Sequence, residues 1–156
     1  MPRNRKGVST IIATILTISL AVVGSAVYYV AATSYLRPQA ELSPQVTVSV
    51  GASGFTVISA QVVNTGGLPF TSFSVSITGG GSQLRIAYSS LLSADGGRAT
   101  ITVRGVSGGT FTAVSPSTTV SGSLTAEVGS TYAVVIEGTL TNGGTFSQAL
   151  SVEAMP

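Results

Sequence analysis

From Val8 to Leu36 the chain reads VSTIIATILTISLAVVGSAVYYVAATSYL, without one charged residue, proline or histidine. As an α-helix, these roughly 29 residues extend about 44 Å, more than the ~30 Å hydrocarbon core of a bilayer. The segment can therefore cross a membrane, and the rest of the chain is read relative to it. MPRNRKG precedes it, with Arg3, Arg5 and Lys6, and Arg37 and Pro38 follow it, where the proline ring ends a helix. A short basic flank on the N-terminal side keeps that end in the cytoplasm and sends the remainder outside. An ordinary secretory signal fits less well, because the apolar run exceeds the usual h-region of about 7–15 residues and lacks an A-x-A site before polar sequence.

Thr10, Thr14, Thr17, Ala21, Gly24 and Tyr28 recur at alternating spacings of four and three, so they share one helix face. That face is mostly small and hydroxylated, which permits close helix–helix approach. The other faces carry Ile11, Ile15, Ile18 and Val22, and also Ile12, Leu16, Leu20, Val23 and Val27. A helix apolar all round has to be buried completely, in lipid or among other helices. A lipid-facing anchor with incidental small residues satisfies the same pattern.

Net charge is +2, but Arg3, Arg5 and Lys6 supply +3 of it, so the remainder sums to −1. Beyond the leader the cations are Arg37, Arg85, Arg98 and Arg104, too dispersed in sequence for a phosphate-binding cluster, and we read no nucleic-acid function. Cysteine and histidine are both absent, which removes disulfides, thiolate metal sites, most catalytic triads and histidine-based metal sites. The carboxylates Glu41, Asp95, Glu127, Glu137 and Glu153 are isolated along the chain. Asp95-Gly96-Gly97 lacks the alternating oxygen ligands of a calcium loop and reads as a turn. The glycine-rich GGGS and SGG stretches lack a following Lys-Ser/Thr and read as loops between strands. We expect no enzyme, no cofactor and no metal.

From Gln45 the period changes from helical to two. Strands are expected at Gln45–Val50, Phe55–Val63, Phe70–Thr78, Leu84–Tyr88, Ala99–Arg104, Thr110–Val114, Val120–Val128, Tyr132–Leu140 and Phe146–Val152, with Asn142–Gly144 as a hairpin turn. Their inward residues are expected to be Val46, Val48, Val50, Val57, Phe73, Val75, Ile77, Ile86, Ile101, Val103, Tyr132, Val134, Ile136, Leu140, Phe146, Leu150 and Val152. The alternate positions are Ser and Thr more than Lys and Glu, and no N-x-Ser/Thr sequon is present. The fold class is α+β, a long hydrophobic helix followed by an immunoglobulin-like β-sandwich. Arg37–Pro44, with Arg37, Pro38 and Pro44, reads as a short stiff hinge.

RKG followed by VSTIIATIL resembles the class III leader of archaeal type IV pilins and archaellins. This sequence lacks the glutamate near the mature N-terminus that bacterial type IV pilins carry, which favours the archaeal branch. The resemblance covers residues 1 to about 36 closely, and the later domain in style only. It implies cleavage between Gly7 and Val8, with Lys6, Gly7 and Val8 as processing positions. It also implies a prepilin peptidase, an assembly ATPase and a membrane platform protein as partners, and a filament core built from bundled helices. The domains are then a leader at 1–7, a helix at 8–37, a hinge at 38–44 and a β-sandwich at 45–156. The chain becomes a self-assembling subunit of an extracellular pilus, resident in the membrane beforehand, with adhesion the first choice. An archaellum filament subunit, or a single-pass anchored module binding sugar or a surface-layer partner, fits the same leader and helix.

Gly7→Leu is expected to block cleavage, so that intact-mass measurement of the native chain shifts from a species beginning at Val8 to the uncut precursor in the membrane fraction.

Overall fold

The computed structural model describes residues 5–35 and 39–156, with side chains from residue 10 to 33 in the first span. They form two units, divided at Arg37 and Pro38. The first is helix α1 (Arg5–Tyr35), which starts before Val8 and continues through Gly7. Nothing at Lys6-Gly7-Val8 stops a helix, since the glycine costs only about 1 kcal/mol and no proline intervenes. Arg37 and Pro38 of the expected hinge lie outside the described residues.

The second unit is all β: β1 (Leu42–Val50), β2 (Phe55–Asn64), β3 (Phe70–Gly79), β4 (Ser82–Tyr88), β5 (Arg98–Val106), β6 (Phe111–Ala113), β7 (Thr118–Gly122), β8 (Thr131–Leu140) and β9 (Thr145–Met155). They join in the order β6-β5-β2-β1-β9-β8-β3-β4-β7. Every ladder is antiparallel except β1 with β9, which pair in parallel over Val48↔Ala154 and Ser49↔Met155. The terminal strands β6 and β7 come within 8 Å between Cα atoms, so the sheet rolls up nearly to a barrel.

Alternation decides what lies inside. Val46, Val48, Val50, Phe73, Val75, Ile77, Ile86, Ile101, Val103, Tyr132, Val134, Ile136 and Leu140 are buried as expected. Val57 is not: β2 buries Thr56, Ile58, Ala60 and Val62, and Val57 sits half-buried on the outer face. FTVISAQVV has apolar residues on both parities, and register with β1 chooses between them, through Val48↔Ile58 and Val46↔Ala60. Phe146, Leu150 and Val152 are only partly buried, on the stretch of β9 that pairs with β8 but not with β1.

Two boundaries move. β1 begins at Leu42, so Pro44 of the expected hinge lies inside the strand, opposite Val62. Residues 39–41 are held as well. The Glu41 carbonyl accepts the N–H groups of Thr65 and Gly66 at 3.1 and 3.2 Å, and a Cβ on Gly66 would run into the Gln39 carbonyl and the Glu41 amide. The expected strand at 120–128 stops at Gly122, whose φ of +91° turns the chain out of the ladder. Beyond it, the segment carrying buried Leu124 and Ala126 is held by hydroxyls, and the Ser82 hydroxyl accepts the Thr125 N–H at 2.9 Å. The Ser107 hydroxyl accepts the Ala126 N–H at 2.8 Å and donates to its carbonyl at 3.0 Å. The Tyr132 hydroxyl accepts from Glu127 N–H and donates to the Thr125 carbonyl.

Asn64 is fully buried and fully satisfied. Its Nδ2 donates to the carbonyls of Leu68 (2.8 Å) and Ser93 (3.0 Å), and its Oδ1 accepts the Gly66 N–H at 3.0 Å. One side chain thus ties the β2–β3 loop to the β4–β5 loop. Asn64→Ala is expected to lower stability by about 3 kcal/mol through orphaned buried groups, while Thr47→Ala, losing an exposed 3.4 Å hydrogen bond, changes it by less than about 0.5 kcal/mol. Denaturant unfolding of the two detergent-solubilised variants measures both.

Candidate functional site

The longest element among the described residues is α1. Its span Thr10–Thr33 is 24 residues, long and apolar enough to cross a membrane by length and composition, and none of it is buried within the chain. Among its large apolar side chains exposure runs from 55% at Ile12 to 76% at Tyr28, and it does not favour a side. Ten branched aliphatic residues are exposed there, from Ile11 to Val30. At ~2 kcal/mol for each such side chain, leaving them in water forfeits on the order of 20 kcal/mol. A whole domain is typically stable by only about 5–15 kcal/mol. Burial of these side chains, in lipid or among other helices, would recover that cost.

Its hydroxyls suit such burial. The Thr14 hydroxyl donates to the Thr10 carbonyl at 2.8 Å, Thr17 to Ala13 at 2.9 Å, Ser25 to Val22 at 2.8 Å and Thr33 to Tyr29 at 2.9 Å. These four donors are satisfied within their own helix, so burial in an apolar environment would not orphan them. The expected face of Thr10, Thr14, Thr17, Ala21, Gly24 and Tyr28 is present on one continuous helix. The back-bonding changes its character. With their donors spent, Thr14 and Thr17 act as small residues rather than as cross-helix hydrogen-bonding groups. At Gly24 an added Cβ meets nothing, so the isolated helix does not itself require glycine there. Lys6, Gly7 and Val8 lie on the α1 backbone, their side chains outside the described residues.

The β domain offers less chemistry. Arg85 Nη2 and Glu137 Oε2 stand 4.0 Å apart with both side chains 58% exposed, an arrangement worth about 0–1 kcal/mol. They flank a shallow open depression of about 570 Å³ whose walls include Ser72, Ser74, Thr139, Ser147 and Phe146. Glu137 is the one carboxylate lining it, and no acid–base pair faces it. Among the described residues no three of His, Cys, Asp or Glu come together as a metal site. Asp95 occupies a turn at φ +52°, its N–H on the Gly66 carbonyl. What sequence reasoning missed is Asn64, Ser82 and Ser107, polar residues whose role rests on partners far along the chain.

No family model matches the chain, and no curated protein matches it in sequence. Among solved structures it is similar to the CARDB domain of a Pyrococcus furiosus protein, crystallised in complex with di-metal ions. The likeness has 15% identity and a TM-score of 0.36, and covers 76% of this chain and 96% of that one.

If the stripe works by closeness alone, Thr14→Val and Thr17→Val leave self-association of α1 in detergent within about twofold, and Gly24→Leu weakens it at least tenfold. Energy transfer between labelled full-length chains reads both.

Proposed function

We propose that the chain is the structural subunit of an archaeal type IV pilus-like filament, exported to the cell surface and acting by self-assembly rather than catalysis. The observation that carries this reading is a helix long enough to cross a membrane and apolar on every side, followed by a β domain that has its own core. Such a helix is stored in lipid and then exchanges lipid for copies of itself, while the β domains form the outer sheath. The polymer is open and head-to-tail.

The leader supports the same reading by its resemblance to the class III type. That resemblance supplies the prepilin peptidase, assembly ATPase and platform protein as partners. We read the β domain as immunoglobulin-like. The support is its strand order: β5-β2-β1 on one side and β4-β3-β8-β9 on the other correspond to E-B-A and C′-C-F-G of that fold, with β6 and β7 added between E and F. Adhesion is the proposed role, ahead of archaellum motility.

Filaments sheared from native cells should contain this chain beginning at Val8, and deletion should abolish both filaments and surface attachment while swimming persists. Lost swimming with normal attachment would move the assignment to an archaellum. An uncut chain found only in the membrane fraction would support the anchored-module reading instead.

A further inference from the structure

The strands carry few charges, and these are sorted by face. On the β6-β5-β2-β1 side the only charged strand residues are Arg98 and Arg104, both exposed on the outer face of β5. On the β9-β8-β3-β4-β7 side they are Arg85, Glu137 and Glu153, exposed on the opposite outer face. Counted over strand residues, one face is cationic and the other net anionic, with exposed Glu41 and Asp95 in the segments that lead into β1 and β5.

The spacing matches too. Arg98 and Arg104 are six residues apart on one strand, about 20 Å. Glu153 lies opposite Thr131, six residues from Glu137, so the two carboxylates are also separated by about 20 Å along their strands. Arg98 pairs across to Val63 and thence to Ser43, and Arg104 to Val57 and Ser49. Glu153 lies level with Thr47, since Ala154 pairs with Val48. Counting six positions back along β9 places Glu137 level with Glu41. Each carboxylate therefore falls the same two-residue step, about 7 Å, from one arginine.

We propose that the β5 face of one copy docks on the β8–β9 face of the next, Arg98 against Glu137 and Arg104 against Glu153. This rests on the filament reading, in which copies share one orientation, so that like ends meet. The equal step means that a single axial displacement makes both pairs. Val57 and Val63, half-buried directly opposite Arg104 and Arg98, supply apolar contact between them. The Arg85–Glu137 pair is long and exposed, so it leaves Glu137 available to a second cation.

The chain has no cysteine, which makes covalent trapping clean. Filaments of full-length R98C/E137C and of R104C/E153C, mildly oxidised, should give ladders of disulfide-linked multimers on a non-reducing gel, and R98C/E153C should not. Separately, R98E/R104E should lower filament yield at least fivefold with the subunit still present in membranes, and adding E137R/E153R should restore it to within about twofold. Wild-type filaments whose variants neither cross-link nor respond to reversal would overturn this interface alone. A wild-type chain that makes no filaments would overturn the filament reading, and the interface with it.

Discussion

A helix of 31 residues that is apolar on every side is the constraint on which the molecule depends. Ten branched aliphatic side chains exposed along α1 set a penalty in water comparable to or larger than the stability of an ordinary domain. Lipid removes it, and so does a bundle of identical helices. The two environments are energetically similar for aliphatic side chains, because lipid tails are as apolar as leucine. On the proposed reading, passing from one to the other depends on packing closeness, for which Ala21, Gly24 and the back-bonded Thr14 and Thr17 are the small residues on one face.

The β domain has a hydrophobic core of its own. Its core is closed by both layers of a rolled sheet, and its one fully buried amide, Asn64, is satisfied within it. From Gln39 onward the chain is held against Thr65 and Gly66. A unit that folds on its own core can be carried on a helix in either environment. Its sparse, face-sorted charges leave the choice of neighbour to a few exposed side chains.

Much of this was legible because periodicity is local. The change from period 3.6 to period 2 near Gln45 placed the helix and all nine strands within a few residues, save the C-terminal half of 120–128. The errors share a cause. Val57 against Ile58, the early start of β1 through Pro44, and the departure of the chain from its ladder at Gly122 are each settled by a partner strand or by a distant hydroxyl. Short-range pattern carries no record of them. In the helix, residue type identified the Thr10–Tyr28 face but not that the Thr14 and Thr17 donors are already spent on carbonyls one turn back.

The central claim is that α1 leaves lipid for copies of itself. Electron cryomicroscopy of native surface filaments tests it most directly. The account predicts axial density from bundled helices spanning Thr10–Thr33, with the β domains arranged outside. A filament held together by its β domains, with the helix absent from the axis, would contradict it.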